Sequence, residues 1–255
     1  MAGGGPAGLQ AALTAAERGH RVTLLERGSS LGGLLHAACR PPHKQPYERL
    51  RLWFEHAVAH SGIDARMGVE ASAENIRELR PDAVIVATGS EPVIPAFCKG
   101  SGALAAQDVL MGAECGKRTL ILGGGLVGCE TAEFLAEQGR EVVILELRDA
   151  LAPDMETRTR IFMLDRLRQL GVETLLNTEV LALSHGCARV RDKLRGERDL
   201  EGFDTLIMAF GYRSRSLLFR QLAAASLPAA AVGDCVRPGK VITAVRQGFL
   251  AAYSL

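Results

Sequence analysis

Two clusters of glycine carry the clearest chemistry in the chain. Gly3, Gly5 and Gly8 are spaced G-x-G-x-x-G, and so are Gly123, Gly125 and Gly128. In that spacing the first glycine permits a tight turn, the second lets the backbone approach a pyrophosphate, and the third lets a helix pack closely on a strand. The helix that follows then aims its unbonded amides and positive dipole end at the phosphates. An acid at the end of the next strand accepts hydrogen bonds from adenosine ribose hydroxyls. Glu26 and Glu146 stand there, each 23 residues past the first glycine of its cluster. Each cluster is therefore equipped to hold a dinucleotide.

The elements that must position these residues come from a duplication. Shifted by 120 residues, Ala2–Leu31 lies on Leu122–Leu151 without a gap. Beyond the glycines, Ala12, Ala16, Glu17, Gly19, Val22 and Leu25 fall on Ala132, Ala136, Glu137, Gly139, Val142 and Leu145. In the second copy, Arg118–Leu122 reads as a strand, Cys129–Gly139 as a helix closed by glycine, and Glu141–Glu146 as a second buried strand. The first copy predicts a helix over Leu9–Gly19 and a strand over Arg21–Glu26. Only Met1 and Ala2 precede its glycines, so its leading strand is expected to be nearly absent. Asp82–Gly89 and Asp204–Gly211 form a further matched pair of buried strands, ending Ala-Thr-Gly and Ala-Phe-Gly. The stretches before them, Ile63–Val69 and Val172–Val190, suit β-meanders. The repeating unit is a whole domain.

The copies diverge after the acid. The first continues into Leu31-Gly-Gly33, whose glycines let a loop lie along an extended ligand, whereas Leu147–Pro153 of the second has no such pair. Ala230–Cys235 reads as a strand ending in Gly-Asp, and Val241–Ala252 as a helix. Asp234 would accept from ribityl hydroxyls, and the helix start would offer amides to a flavin's pyrimidine edge, where negative charge gathers on reduction.

Composition removes other classes. A net charge of +1, without a basic run, argues against a nucleic-acid partner. No apolar stretch approaches the roughly 18 residues of a membrane span. The six cysteines, Cys39, Cys98, Cys115, Cys129, Cys187 and Cys235, contain neither a C-x-x-C nor a C-x₄-C pair. That argues against a redox dithiol, a zinc site, an iron–sulfur site or a disulfide scaffold, and for reduced thiols in the cytoplasm. The six histidines show no constellation with a nucleophile, and no metal site is expected.

Several of these motifs together resemble a known family. Gly3–Gly8, Glu26-Arg27, Leu31-Gly-Gly33, Ala87-Thr-Gly89 and Val232-Gly-Asp234 look like the FAD site of the two-dinucleotide-binding-domain flavoproteins, and Gly123–Glu130, Glu146 and Asp204–Gly211 look like their inserted NAD(P)H domain. Within that superfamily the chain is most similar to the C-terminal half of 2,4-dienoyl-CoA reductase, 2-enoate reductase and trimethylamine dehydrogenase. Pro41-Pro42, Gly233-Asp-Cys-Val236 and Ala244–Ala252 carry that likeness. The resemblance implies an α/β fold of two Rossmann-like three-layer domains, the NAD(P) domain inserted into the FAD domain. The expected division is 1–106 and 212–255 for FAD, and 107–211 for NAD(P)H. The implied flavin set is Gly3, Gly5, Pro6, Ala7, Gly8, Glu26, Arg27, Gly33, Leu34, Ala87, Thr88, Gly89, Gly233, Asp234 and Ala244. The implied nicotinamide set is Gly123, Gly125, Leu126, Val127, Gly128, Glu130, Glu146, Arg148 and Gly211, with Glu130 resembling the family acid near the nicotinamide.

The function implied is hydride transfer from NAD(P)H to FAD, the electron-entry half of an enoate or dienoyl-CoA reductase. The cofactors carry that chemistry, so no catalytic side chain is expected. Glu146 would accept from a ribose 2′-hydroxyl and repel a 2′-phosphate, which favours NADH, although Arg148 nearby could pair with such a phosphate. In the resembling enzymes a TIM barrel holding FMN and an iron–sulfur cluster precedes this half. The barrel, or a separate electron acceptor, is the expected partner outside the chain. Two alternatives stand beside this reading: a free-standing NAD(P)H:acceptor reductase, and a fragment that keeps the fold without holding FAD tightly. The Met-Ala start and the short Ser214–Leu227 return favour a piece of a larger protein.

Overall fold

The computed structural model describes residues 1–193 and 195–255. The chain separates into two compact units: Met1–Cys39 with Gln45–Glu91 and Tyr212–Leu255, and Arg40–Lys44 with Pro92–Gly211.

The first unit is built on parallel strands. Asp64–Met67 pairs with Thr23–Glu26, and Val84–Val86 pairs with Ala229–Ala231. Ala2 bridges the two pairs, lying parallel to Leu25 on one side and to Val86 on the other. The leading strand expected to be nearly absent is thus reduced to a two-residue stub that still closes the ladder. The Leu25 amide donates to Met1 O at 2.9 Å, and the Ala2 amide to Ile85 O at 2.9 Å. Alternate strand residues face opposite layers, as a period of two demands. Leu24 and Ile85 meet the helices Pro6–Glu17, Gln45–Ala59 and Val241–Tyr253, whereas Leu25, Val84 and Val86 meet Ala73–Leu79 and Leu217–Ala224. Ile63–Val69 is a correction: it forms one parallel strand, not a meander.

The second unit carries a five-stranded parallel sheet in the order Leu104–Ala105, Thr205–Met208, Arg118–Leu122, Glu141–Leu145, Glu173–Leu175. Burial on both faces explains why these strands read as unbroken apolar runs. Ile121, Ile144 and Ile207 pack on the helices Leu126–Ala136 and Thr157–Gln169. Leu120, Leu122, Val143 and Leu145 pack on an antiparallel sheet of Thr178–Ser184, Cys187–Asp192 and Gly196–Leu200. The meander expected over Val172–Val190 therefore begins later, at Thr178, and runs on to Leu200. Residues 92–106 belong here rather than with the first unit, because Leu104 and Ala105 pair with Ile207 and Met208.

The third glycine of each cluster closes the helix onto its strand. A Cβ built at Gly8 would overlap the carbonyl oxygen of Gly3, and one at Gly128 would overlap that of Gly123. Both obstacles are backbone and cannot turn aside. At Gly125, by contrast, an added Cβ meets nothing within 4 Å. We expect Gly128→Ala to lower the unfolding free energy by about 2–3 kcal/mol, and Gly125→Ala to lower it by less than about 1 kcal/mol. Denaturant melts of the ligand-free variants check this; equal losses would contradict it.

Candidate functional site

Each glycine turn is latched by the acid that ends the following strand. Glu26 Oε2 accepts from the Gly4 amide at 2.7 Å and its Oε1 from the Gly28 amide at 2.6 Å. Glu146 repeats the arrangement, with the Gly124 amide at 2.6 Å and the Arg148 amide at 2.9 Å. The loop beyond repeats it too. The Gly32 amide donates to Gly4 O at 2.8 Å, and the Ala152 amide to Gly124 O at 2.7 Å. A carboxylate has about four lone pairs. One amide on each oxygen of Glu26 leaves each a second acceptor position, enough for two neighbouring ribose hydroxyls; at Glu146 the Arg148 guanidinium takes the second position of Oε1, and Oε2 keeps its own.

In the first unit the motif residues converge. A Cβ at Gly33 would lie 3.0 Å from Gly5 Cα, and one at Gly8 would lie 3.2 Å from the Ala87 methyl. One at Gly233 would lie 2.8 Å from Ala7 Cβ and 3.7 Å from Ala244 Cβ. Gly3 and Gly5 with Pro6 form the turn into the Pro6–Glu17 helix, and a Cβ at Gly5 meets nothing within 4 Å. That open ground over a helix start is a cradle a side chain would fill and a pyrophosphate could occupy. Asp234 accepts from Ser90 Oγ at 3.0 Å and from the Gly239 amide at 3.1 Å, and Gln247 Oε1 accepts from the Gly233 amide at 2.7 Å. Burial raises the Asp234 pKa, partly opposed by those two hydrogen bonds. Thr88 gives its hydroxyl to Arg215 O at 2.6 Å, next to Gly89. Arg27 is exposed and Leu34 caps the short helix Leu35–Ala38. Ser90 and Gly239 are not among the expected site residues; Gly239 is local to Asp234, whereas Ser90 is brought in from 144 positions away.

In the second unit a cleft of about 530 Å³ opens over the glycine turn, within the roughly 300–1,000 Å³ of small-molecule sites. Gly123, Gly125, Leu126, Val127, Glu146, Arg148 and Gly211 line it. So do Ala209 and Phe210 of the Ala-Phe-Gly motif, and residues the motifs did not mark: Pro95, Phe97, Leu147 and Thr178–Val180. Phe97 and Phe210 meet edge to face, with centroids 5.9 Å apart. Gly128 and Glu130 are not among the lining residues. Glu130 is buried and ion-paired with Lys44; burial raises its pKa, against the opposing pull of that ammonium. Arg148 lies between two carboxylates, Nε 3.2 Å from Glu146 and an Nη 3.5 Å from Asp154. His43 nears Glu133 and Glu137 in a group that could hold a metal ion, but the Arg166 guanidinium already pairs with Glu133.

The Asp234 shift has a sign. A carboxyl whose folded pKa is raised above 3.8 contributes stability that is fully present below that value and lost as pH rises through the folded pKa. Asp234→Asn removes this penalty. The ligand-free variant should gain in thermal midpoint over the parent between about pH 3 and about pH 7. A difference that is flat or shrinks with pH would refute the desolvation argument.

The family model described as pyridine nucleotide-disulphide oxidoreductase matches residues 2–229. The chain is 38% identical over 264 residues to an NADH oxidase of Thermoanaerobacter brockii, covering 100% of this chain and 40% of that protein. It is 30% identical over 260 residues to a cinnamate reductase of Clostridium sporogenes, covering 100% and 39%. Among solved structures, a 2-naphthoyl-CoA reductase superposes with a TM-score of 0.93 at 24% identity, over 100% of this chain and 39% of that one. The chain thus spans about two fifths of the length of these relatives. The fold and family expected from the glycine motifs are the ones found, and FAD and NAD(P)H are the cofactors of that family. The chain belongs to the pyridine nucleotide-disulphide oxidoreductase family, as an FAD- and NAD(P)H-dependent oxidoreductase module.

Proposed function

We propose that the first unit holds FAD, that the cleft of the second unit holds NADH, and that the module passes reducing equivalents from the nicotinamide nucleotide to the flavin. The carrying observation is the doubled latch, one buried or half-buried carboxylate per glycine turn, set in two different surroundings. Around the Gly3–Gly8 turn that Glu26 latches stand the Gly32-Gly33 loop, Gly233 next to Asp234, and Ala244 in the first turn of the Val241–Tyr253 helix, a set suited to a long flavin nucleotide. Around Glu146 stands an open cleft suited to a reversibly bound one. Bound flavin and nicotinamide supply the hydride chemistry. The chain's own residues bind and orient: glycine amides and helix starts face the phosphates, Glu26 and Glu146 accept from the riboses, and Asp234 accepts from the ribityl chain.

The NADH preference rests on Glu146. It is 6% exposed, held in place by two amides, and shares Arg148 with Asp154. A 2′-phosphate there would meet a fixed anion and a guanidinium already paired twice. The relatives named as an NADH oxidase and as reductases of organic substrates are longer than this chain. By analogy, the onward acceptor is a barrel domain carrying FMN and an iron–sulfur cluster, or a separate acceptor protein. Six free thiols fit a cytoplasmic setting; among the described residues no helix is long and apolar enough to cross a membrane.

Reconstituted with FAD, the chain should absorb near about 450 nm and be bleached anaerobically by NADH, with kcat/KM for a dye acceptor at least roughly tenfold higher for NADH than for NADPH. A chain that takes up no FAD refutes the assignment of the first unit. A preference for NADPH refutes the reading of Glu146.

A further inference from the structure

The Gly32-Gly33 loop meets the glycine turn from one side and a partly exposed ion cluster from the other. Gly32 has φ +113°, where a side chain is strained, and its amide is bonded to Gly4 O. A Cβ at Gly32 would lie 2.8 Å from Arg51 Cγ and 3.2 Å from Arg51 Cδ, so the arginine stem forms the wall behind this residue. The Arg51 side chain is 13% exposed. Its guanidinium donates to both oxygens of Glu48, at 3.0 and 2.6 Å, and to Glu55 at 2.5 Å. All three residues lie on the Gln45–Ala59 helix, one turn apart on a shared face.

We propose that Arg51 is a positioning residue for the flavin site, clamping the Gly32-Gly33 loop against the Gly3–Gly8 turn. This rests on the assignment of FAD to the first unit. The alternative role for an arginine beside a nucleotide site, pairing with the pyrophosphate, does not suit it. Two carboxylates already take up its charge, and the cluster of Glu48, Arg51 and Glu55 is net negative. Hydrogen bonds from Arg51 are the chief cause of the lowered Glu48 pKa, about 2. The route to the ligand is steric. Arg51 sets Gly32, the Gly32 amide bond to Gly4 sets the loop, and Gly33 then lies within 3.0 Å, Cβ position to Cα, of Gly5 at the phosphate cradle. A loop fixed beforehand is not ordered at the ligand's expense.

The test is FAD binding to the ligand-free chain, read by quenching of flavin fluorescence, for the parent, Arg51→Ala, Arg51→Met and Glu48→Gln. Arg51→Ala should weaken FAD about tenfold or more and shift the bound flavin's visible spectrum. Arg51→Met keeps the stem against Gly32 and should recover most of the affinity; Glu48→Gln, which loosens the guanidinium, should fall between. NADH binding to the second unit should not move in any variant, which guards against general unfolding. If the parent binds FAD and Arg51→Ala binds it equally well with the same spectrum, the clamp is overturned and the FAD assignment stands. If Arg51→Ala loses NADH as well as FAD while Arg51→Met restores neither, the residue is structural and the clamp is likewise overturned. A parent that binds no FAD overturns the assignment and the clamp with it.

Discussion

One hydrogen bond, made twice, organises this molecule: a carboxylate at the end of a strand accepting from the middle amide of a glycine turn. The acceptors are Glu26 and Glu146, and the donors are the amides of Gly4 and Gly124. The bond fixes three things together. It ties the turn to the strand that follows the helix, it sets the helix start above the turn, and it holds the acid where the proposed reading has it accept from a ribose. Charge-assisted bonds of this kind are roughly twice as strong as neutral ones. A carboxylate held by two amides has little freedom to adjust to a ligand of the wrong charge. On the proposed reading the same device serves as scaffold and as selector.

The latch works only because the backbone beneath it is close-packed. Gly8 and Gly128 let each helix start reach the strand, and isoleucine and leucine side chains alternating across the parallel strands fill the layers on both sides. The second copy shows how far the pattern bends. Ala152 takes the place of Gly32 and accepts φ +42° to keep its amide on Gly124 O. A left-handed alanine costs of order 1 kcal/mol, which the retained bond and the burial of Ala152 offset. The first copy keeps glycine at this point and adds the arginine wall behind it. Divergence around a retained latch is what makes two nucleotide sites out of one ancestral plan.

Much of this could be read from the chain because it is local. The glycine spacing, the acid at the strand end and the apolar strand runs depend on neighbours within one βαβ unit, and all appear in the structure within a few residues of where the patterns place them. What escaped depends on partners far along the chain. Ile63–Val69 has the alternation of a half-buried strand, and nothing in it tells whether its neighbour is antiparallel or parallel. Leu104–Ala105 is too short to leave a pattern, yet it edges the second sheet and carries residues 92–106 with it. Thr178–Val180, Pro95 and Phe97 wall the cleft by tertiary placement alone. Glu130 carried a motif, but its side chain is buried against Lys44, a pairing invisible over 86 positions of sequence.

The central claim is that the two latches serve two different nucleotides. The most direct measurement is a crossed pair of titrations, FAD and NADH each against Glu26→Gln and Glu146→Gln, on chains shown by far-ultraviolet dichroism to be folded. Glu26→Gln should lose FAD affinity and keep NADH, and Glu146→Gln should lose NADH affinity and keep FAD. If both substitutions weaken the same nucleotide, or neither weakens any, the division of labour between the two units is wrong.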